Sequence, residues 1–588
     1  MIQNIEKNDL EKLSKLHITN IYDLALIVPN RYENNIIHNF ITNNEQTFQA
    51  KILSFTKHPK FTKVKAHLLN VDIITDLIYF NIKPWQLKQF STNPTIYIKG
   101  IIKNNQIVQP KVVYEVNKIS VIYKTAINSK TLKPLIKKYI TLENLSELPP
   151  KIAKEIYNIH FPTKIPNLEN NYALKWLEIY NHIKKLKTKK RIYPAIKPIK
   201  KDITPFIQKL PFELTNSQKQ TLQDIQKDLN STIQARRVII GDVGSGKTII
   251  MLASAYMANK SIIMCPTSIL ANQIYEEACK YLDEKVTLVT QKSKFNDEDL
   301  ENSKLLVGTH ALLFQKLPEV ELVMVDEQHR FGTKQREQIA RMTSQGKNLP
   351  HFLQFSATPI PRTQALIYSN FVNISLMKDL PFKKDITTFV IDKTDFKDLI
   401  TRIKTEISQN NQIIIVYPLV EESKNFNYQS LDEAKDFWFK HFDKVYLTHG
   451  KDKNKEKTLE EFKNYGNILL TTTVIEVGIS LPRLTTIVIV GAERMGLATL
   501  HQLRGRVARY GQKGYCYLFT HQKNNNRLHH FANTLDGFKI AELDLAYRKS
   551  GDLLDGSIQS GKSFQFFDEV NDEHILFEAK QYLGSQNE

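Results

Sequence analysis

The sequence predicts a multidomain α/β protein in which two parallel-sheet domains follow a β-rich segment with flanking helices. From residue 205 onward, apolar runs such as RRVIIG and LVMVD alternate with helical stretches, which is the pattern of parallel α/β sheets. The series is too long for one sheet, so we predict two domains that meet within 372–400. Between residues 46 and 125, short alternating runs at regular spacing predict a small β-barrel or sandwich.

A length of 588 residues suits roughly two to four domains with connecting segments. Leucines at helical spacing near the N-terminus predict a helical start. In chain order we predict an N-terminal helical segment (1–45), the β-rich segment (46–125), a helical basic linker (126–204), the first α/β domain (205–378), the second α/β domain (379–525) and a C-terminal segment (526–588).

The composition, with 41% hydrophobic and 24% charged residues, is typical of a soluble globular protein. No apolar stretch is long enough to span a membrane, and the charged N-terminus lacks the features of a secretory signal. Cys265, Cys279 and Cys516 are scattered, which argues against a disulfide framework and against a cysteine metal site. We therefore expect a cytoplasmic protein without membrane contact.

The net charge of +20 has two readings. Lysine is abundant throughout the chain, which accounts for part of the excess without any binding role. The run KKLKTKKRIYPAIKPIKK at 184–201 is different, because it concentrates basic residues and contains no acidic one. Such a run attracts a polyanion through counterion release, and it is equally typical of a solvated linker. The sequence leaves both possibilities open.

GDVGSGKT, residues 241–248, fits the phosphate-binding pattern G-x4-G-K-[ST]. It follows an apolar strand and precedes a helical stretch, as the motif requires. Backbone N–H groups of such a loop surround phosphate oxygens at a helix N-terminus. We expect Lys247 to reach the β- and γ-phosphates and Thr248 to hold Mg²⁺. The expected loop contacts to ATP come from Gly241, Asp242, Val243, Gly244, Ser245, Gly246, Lys247 and Thr248.

Asp326 and Glu327 follow the apolar run LVMV. Two carboxylates at the end of a buried strand are costly to bury unless they are paired or bound to a metal. A nucleotide site needs a carboxylate for Mg²⁺ at the end of a neighbouring strand, which Asp326 can supply. Glu327 can then orient and deprotonate the attacking water.

DEQHRFG, residues 326–332, resembles the second motif of superfamily 2 helicases, and the full run resembles their RecG branch. LPFELTNSQ (210–218) resembles the family's adenine-reading segment, which implies Phe212 and Gln218 at the base. Gln328 and His329 are expected to sense the γ-phosphate. PTSILANQ and GTHALL resemble the two motifs that contact a DNA strand, and SATPIPRT resembles the motif that couples hydrolysis to movement. The residues implied are Thr267, Gly308, Thr309, His310 and Thr358.

The resemblance continues into the second α/β domain. TTTVIEVGI (471–479) implies that Thr472 contacts DNA and Gly478 contacts the nucleotide. HQLRGRVAR (501–509) contains Q-x-x-G-R-x-x-R, which implies catalytic roles for Gln502 and for Arg506 and Arg509 as arginine fingers. Closure of the two domains on ATP, and their opening after hydrolysis, would change their grip on DNA.

The segment 536–561 resembles the helical hairpin and loop that convert ATP-site movement into duplex translocation in this family, which implies coupling roles for Arg548 and Gln559. The chain departs from the family here. Arg548-Lys549-Ser550-Gly551 replaces the usual Arg-Gly-Pro-Gly, and Ala508 and Tyr510 replace glycines of the finger motif. These departures put the efficiency of coupling in question more than its existence.

The β-rich segment resembles the RecG wedge, an OB-fold that splits branched DNA. Such folds bind single strands by stacking bases on aromatic rings, and Tyr79, Phe80 and Trp85 are the candidates. Because successive residues of a strand point to opposite faces, we expect at most one of Tyr79 and Phe80 to stack. The other ring of the pair would fill the core.

The resemblance implies two RecA-like domains behind an OB-fold wedge, and an ATP- and Mg²⁺-dependent DNA helicase that moves on duplex DNA. Its expected substrates are stalled forks, Holliday junctions and R-loops in recombination and repair. The resemblance also implies a monomer in the bacterial cytosol or nucleoid, with a single-strand-binding protein as a further partner. The alternatives are the same motor in transcription-coupled repair or primosome restart, and a DNA-binding scaffold without hydrolysis, which the intact catalytic residues disfavour.

Overall fold

The computed structural model describes residues 5–83, 87–88, 90, 92, 95–189, 192–358, 361–369, 372–382, 384–420, 428–472, 481–508, 511–555 and 564–585. The chain divides into two compact units. The N-terminal unit comprises Met1–Lys184 together with Lys562–Glu588, and the α/β unit comprises Lys185–Gly561. Within the described residues, no helix has both the length and the apolar character needed to cross a membrane.

Strands dominate the first part of the N-terminal unit, as predicted. They are β1 (Arg31–Asn34), β2 (Gln46–Lys57), β3 (Thr62–Leu68), β4 (Ile73–Tyr79), β5 (Thr95–Gly100), β6 (Ile102–Lys103), β7 (Gln106–Val108), β8 (Lys111–Val113) and β9 (Ile119–Ile122). β1 pairs with β9, and the other seven form one sheet in the order β6-β7-β4-β3-β2-β5-β8. Apolar residues on one face, including Phe48, Val64, Leu77 and Ile98, are fully buried.

The helices of the N-terminal unit are Lys7–Leu13, Ile21–Ala25, Ser129–Tyr139, Pro150–His160, Tyr172–Lys189, which runs on into the α/β unit, and Glu573–Ser585. The predicted N-terminal helical segment therefore contains a strand as well, because β1 pairs with β9 far along the chain. The predicted helical linker (126–204) also differs from the structure, since residues 192–200 contain no helix. Pro194 and Pro198 disfavour helix in that stretch.

Residues 564–585 belong to the N-terminal unit, although they follow the α/β unit in sequence. The carboxylate of Glu178 accepts hydrogen bonds from the backbone N–H groups of Gln565, Phe566 and Phe567. Lys175 Nζ lies 2.9 Å from Asp572 Oδ1, and both side chains are nearly buried. The end of the chain is thus bonded to the helix Tyr172–Lys189, within the same unit.

The first sheet of the α/β unit is entirely parallel, with the order β12-β13-β11-β14-β15-β10-β16. Its strands are β10 (Arg236–Gly241), β11 (Ser261–Met264), β12 (Val286–Val289), β13 (Leu305–Gly308), β14 (Leu322–Val325), β15 (His351–Ser356) and β16 (Asn373–Met377). Helices pack against it at Thr204–Gln208, Asn216–Leu229, Lys247–Met257, Ser268–Tyr281, Asp297–Asn302, Thr333–Met342 and Arg362–Tyr368. Separate apolar clusters cover the two faces.

The second sheet is also parallel, with the order β17-β22-β21-β18-β20-β19. Its strands are β17 (Ile386–Ile391), β18 (Gln412–Val416), β19 (Val445–Thr448), β20 (Ile468–Thr471), β21 (Leu484–Val490) and β22 (Gly514–Phe519). Its helices are Phe396–Ser408, Leu431–His441, Lys455–Tyr465, Leu497–Arg504, Asn526–Ala532 and Gly537–Asp555. Two parallel sheets confirm the prediction of two α/β domains.

Candidate nucleotide site and nucleic-acid cleft

The phosphate loop, residues 241–248, is shaped by two glycines between β10 and the helix Lys247–Met257. Gly244 and Gly246 have φ angles of 83° and 82°, a region that side chains disfavour. A Cβ atom at Gly246 would also lie 2.3 Å from Nε2 of Gln218. The loop therefore turns tightly over the N-terminus of the helix, where free N–H groups and the helix dipole favour anions.

Lys247 and Gln218 are both hydrogen-bonded to this loop. Lys247 Nζ donates to the carbonyl oxygens of Gly241 (2.7 Å) and Asp242 (3.0 Å). Gln218 is buried and donates from Nε2 to the carbonyl oxygen of Ser245 (2.9 Å). The segment predicted to read adenine is thereby joined to the phosphate loop, while Phe212 of that segment is 44% exposed.

Asp326 and Glu327 follow β14 as the sequence places them. Asp326 is buried, and this burial together with the charge of Glu327 raises the pKa of its carboxyl group, while Lys247 acts in the opposite direction. Glu327 has a φ of 47°, which is strained for a residue with a side chain. Its Oε2 accepts a hydrogen bond from the N–H of Ala357 (3.2 Å). This backbone turn and hydrogen bond hold its carboxylate in a defined orientation.

The oxygen groups present suit Mg²⁺. Asp326 supplies a buried carboxylate and Thr248 a half-buried hydroxyl in the first turn of the loop's helix. Magnesium binds such oxygen ligands together with phosphate oxygens. A cation would also relieve the cost of two adjacent carboxylates at a buried strand end.

The segment Gln328–Arg330 forms a short 3₁₀ turn after Glu327. Gln328 Oε1 accepts a hydrogen bond from Nη1 of Arg336 (3.1 Å). The side chain of His329 lies outside the described part of the structure.

Two basic side chains from beyond the first sheet contact the phosphate loop. His501 Nε2 lies 2.6 Å from Oδ1 of Asp242, and Lys384 Nζ lies 3.2 Å from Oδ2 of the same carboxylate. Burial alone would raise the pKa of Asp242, but His501 and Lys384 outweigh it and hold the pKa below its usual range. Burial lowers the pKa of both His501 and Lys384. Asp242 is therefore a buried anion between two basic groups.

The finger motif packs against the same loop. A Cβ atom at Gly505 would lie only 2.9 Å from Cβ of Val243. Gln502 Nε2 donates to Oγ1 of Thr358 (2.8 Å), which joins the second sheet to the predicted coupling segment of the first. Arg506 is buried at 8% exposure. Two other predicted contacts of this region, Arg509 and Gly478, lie outside the described residues.

Ala508, which replaces a glycine of the family pattern, has an unusual backbone conformation. It has a φ of 58°, in the left-handed region that glycine adopts without strain. For a residue with a Cβ atom this conformation costs about 1–2 kcal/mol. The backbone at Ala508 therefore has a conformation that glycine adopts more easily than alanine.

Four of the predicted nucleic-acid contacts surround one cleft. Thr267, Thr309 and His310 line a cavity of about 620 Å³, and Lys455 of the second sheet's domain lines its other side. Gly308 adjoins it, where a Cβ atom would meet the carbonyl oxygen of Val289 at 2.4 Å. We call this cavity the nucleic-acid cleft.

The structure describes only some of the remaining residues predicted to contact DNA. Thr472 directly follows β20 and is buried at 7% exposure. Arg548 belongs to the helix Gly537–Asp555, and its side chain is outside the described part of the structure. Gln559 and Trp85 are also outside it.

Tyr79 and Phe80 face opposite ways, as strand alternation predicts. Tyr79 is 3% exposed and packs on Phe90, whereas Phe80 is 53% exposed. Phe80 lines a cleft of about 480 Å³ in the N-terminal unit, which we call the aromatic cleft. Its other lining residues include Phe55, His58, Phe61, Lys57, Lys60 and Lys88.

Sequence reasoning missed three residues of the nucleotide site. His501 and Arg504 stand within the quoted finger motif, but no role was assigned to them. Arg504 is fully buried, and its Nη2 lies 3.3 Å from Nδ1 of His501. Lys384 stands in the connection between the sheets, where no motif marks it. Only their contacts in space with Asp242, directly or through His501, show their involvement.

Comparison with known proteins agrees with this site. The DEAD/DEAH box helicase domain matches residues 215–367, and the helicase conserved C-terminal domain matches 391–511. ATP-dependent DNA helicase RecG of Helicobacter pylori is 44% identical over 601 residues, which cover 97% of this chain and 96% of that protein. RecG of Aquifex aeolicus is 33% identical over 95% of this chain and 80% of its own length.

A solved structure of RecG bound to a three-way DNA junction is also similar. It is 27% identical, with a TM-score of 0.58, and the match covers 99% of this chain and 84% of that one. The resemblance stated from the motifs is therefore confirmed along nearly the whole sequence. The chain belongs to the RecG family of ATP-dependent DNA helicases.

Proposed function

We propose that this protein uses ATP hydrolysis to move on duplex DNA and to remodel branched DNA, such as stalled forks, Holliday junctions and R-loops. One observation carries the proposal. The phosphate loop of the first sheet is bonded to His501 of the second, and the nucleic-acid cleft is lined from both domains. A change at the nucleotide can therefore alter the cleft by moving one domain against the other.

The proposed chemistry divides among groups of the first sheet. Lys247 binds the β- and γ-phosphates, and Asp326 and Thr248 hold Mg²⁺. When bound, Mg²⁺ neutralises phosphate charge and orients the terminal phosphate. Glu327 orients the attacking water and accepts its proton, which its fixed carboxylate orientation supports.

The proposed coupling runs between the two domains. Gln328 and His329 sense the γ-phosphate, and Arg506 and Arg509 approach it from the second domain. The hydrogen bond from Gln502 to Thr358 supports this assignment, because it joins the finger motif to the coupling segment. Phe212 and Gln218 read the adenine, and Gly478 contributes to the nucleotide pocket.

The proposed DNA path has two parts. A strand lies in the nucleic-acid cleft against Thr267, Gly308, Thr309 and His310, with Thr472 nearby and Arg548 and Gln559 in the translocation segment. The seven-stranded sheet of the N-terminal unit acts as an OB-fold wedge. Its aromatic cleft supports this role, because exposed rings among lysines are what OB-folds use to stack unpaired bases. Phe80 is the leading candidate to stack, with Trp85 as a second.

Branched DNA is the proposed substrate because the relative of similar fold was solved with a three-way junction. We propose the segments predicted from sequence as the functional domains, from the wedge at 46–125 to the translocation segment at 526–588. We further propose that the enzyme acts as a monomer in the bacterial cytoplasm, with a single-strand-binding protein as a partner.

The test is to measure ATP hydrolysis without DNA, with linear duplex and with a synthetic fork, and then to measure conversion of the fork. We expect the fork to stimulate hydrolysis most and to be unwound only when ATP is supplied. A fork that neither stimulates hydrolysis nor is converted would contradict the proposal.

A further inference from the structure

The α/β unit contains a second cavity that no assigned function uses. It has a volume of about 640 Å³, and four cations and one carboxylate line it. They are Arg236, Arg336, Arg341, Lys347 and Glu337. Arg236 begins β10, whereas the phosphate loop follows the other end of that strand, roughly 16 Å away at the usual rise per residue. We call this site the basic cavity.

Two consecutive arginines show why the charge of this cavity is unusual. Arg237 is buried, and its guanidinium lies 2.8 Å from Asp228 and 3.3 Å from Asp224. Arg236 points to the opposite face of the sheet, where it meets the ring of Phe352 at 5.8 Å. Among the described residues Arg236 forms no ion pair. The structure thus neutralises one arginine internally and leaves its neighbour facing the cavity.

The other cations increase the positive potential. Arg236 and Arg336 line the same cavity, so their like charges repel. Burial lowers the pKa of Arg336, and the charge of Arg236 acts in the same direction while Glu337 opposes it. Arg341 lies 3.9 Å from Glu337, but both side chains are well exposed, and an exposed ion pair contributes little stability. Lys347 is exposed on the loop beside them. An anion in the cavity would relieve this repulsion, and arginine is well suited to bind phosphate oxygens.

The basic run at 184–201 leads into the same cavity. Its Tyr193 and Pro194 form part of the wall. The run is anchored there, because the N–H of Ala195 donates to Thr232 (2.9 Å) and the carbonyl oxygen of Pro194 accepts from Leu349 (2.9 Å). Tyr193 and Pro194 thus open the cavity toward the run, and a strand is long enough to contact both, which favours an extended anion over a small one.

Arg336 also connects the cavity to the nucleotide site. Its Nη1 donates to Oε1 of Gln328, two residues after Asp326. A phosphate group that draws the Arg336 side chain into the cavity would weaken this hydrogen bond. Arg336 would then act as a positioning residue for Gln328.

We propose that the basic cavity binds the phosphate backbone of a nucleic-acid strand, apart from the nucleic-acid cleft, and that Arg336 transmits its occupancy to Gln328. The proposal relies on the proposed function only in taking nucleic acid as the ligand. Because its direct test measures binding without ATP, a failure of the proposed function would be seen separately, as a fork that is not converted.

The direct test is the double variant Arg341→Glu with Lys347→Glu, since both side chains are exposed and folding should be retained. Binding of a fluorescent single-stranded oligonucleotide is measured by anisotropy from 50 to 300 mM salt. We expect about tenfold weaker binding at 100 mM salt and a salt slope smaller by about 1, because phosphate contacts release counterions. The matched control is Lys404→Glu with Lys440→Glu, which makes the same charge change on exposed helix positions of the second domain.

Equal losses in the two double variants, or no change in slope, would overturn the proposal. A small-anion arm uses inorganic pyrophosphate. If pyrophosphate raises the melting temperature of the wild type but not of the Arg341/Lys347 variant, while strand binding is unchanged, the cavity binds a small anion and the strand assignment is wrong. Crosslinking of an iodouracil-containing strand to Tyr193, found by mass spectrometry, is the expected positive result.

The coupling is tested with Arg336→Lys, which keeps the charge but loses the guanidinium's second N–H group. We expect strand binding within twofold of wild type and strand-stimulated ATP hydrolysis reduced about fivefold, at the low end of usual coupling energies. If hydrolysis and binding fall together, Arg336 serves the strand alone, and the transmission to Gln328 is refuted.

Discussion

The α/β unit and the N-terminal unit present their candidate functional groups in opposite ways. In the α/β unit the charged groups are buried and bonded to one another, as Asp242 is to His501 and Lys384. In the N-terminal unit the candidates are exposed rings and lysines above an apolar core, as Phe80 is above Tyr79. Fixed charges act most strongly where water is excluded, whereas unpaired bases need an open surface to stack on. Hydrolysis and substrate choice should therefore be separable.

The strongest test of this separation is Glu327→Gln. Loss of the base should reduce ATP hydrolysis by about 10²–10⁴-fold on every DNA, because Glu327 is the proposed acceptor of the proton of water. Binding of a fluorescent ATP analogue and of forks should persist. Glu319→Gln, at an exposed position of the same domain, is the control. Loss of nucleotide binding would instead mean that Glu327 serves mainly to hold the N–H of Ala357.

Asp242→Asn tests the buried charge itself. Removing one charge leaves Lys384 buried without its counterion, and breaking a buried pair in this way typically costs about 3–5 kcal/mol. We expect a lower denaturant midpoint, with unfolding monitored by the fluorescence of Trp438. Asp283→Asn breaks an exposed pair with Lys209 and should change stability by less than about 1 kcal/mol. Equal shifts in the two variants would show that the buried pair stabilises the fold no more than the exposed pair does.

The N-terminal unit should respond to pH through His160. Its Nδ1 lies 2.9 Å from the hydroxyl of Tyr123 and its Nε2 lies 2.9 Å from the carbonyl oxygen of Ala25, and burial lowers its pKa to about 4. Below pH 6.5 the unfolded chain gains a proton that the folded chain does not bind until about pH 4. Folding stability should therefore fall by about 3 kcal/mol across this window.

The measurement is unfolding at pH 7.5 and pH 5, between which about 2 kcal/mol should be lost. Unfolding is monitored by the fluorescence of Trp176, which is buried in the N-terminal unit. His160→Gln cannot take up this proton, so its stability should change less between the two pH values. The same loss in wild type and variant would assign the pH effect to other groups.

The smallest expected effect is that of Phe80→Ala. Stacking of a base on an aromatic ring contributes roughly 1–3 kcal/mol, so fork affinity should fall about tenfold. Hydrolysis stimulated by linear duplex should stay within twofold of wild type. Phe40→Ala removes an equally exposed ring outside the aromatic cleft and should change neither quantity. Equal losses on fork and linear duplex would contradict the wedge assignment.

Central strands of the parallel sheets could be predicted because both of their faces are buried. β14 and β18 read as continuous apolar runs for that reason. Strands at or beside sheet edges are harder to predict from sequence. β12, β16 and β17 are edge strands and β22 is next to one, and polar or half-exposed positions interrupt all four.

The nucleotide site was predictable where a short spacing carries the chemistry, as in the phosphate loop and at Asp326 and Glu327. It was not predictable where the partners are remote in sequence. His501 meets Asp242 across 259 residues, and Lys384 stands in a connection without any motif. The missing glycine at Ala508 was visible in the sequence, but the left-handed backbone conformation of Ala508 was not.

The bonds from Glu178 to residues 565–567 have a consequence for how the protein is made. The α/β unit is an insertion within the N-terminal unit, so that unit lacks these three hydrogen bonds until Lys562–Glu588 have been synthesised. At bacterial elongation rates of about 5–20 residues per second, the wait is on the order of a minute or less. Trp176 and Tyr180, which pack against Tyr582, remain uncovered on that side during this time. The unit that is begun first is therefore completed last.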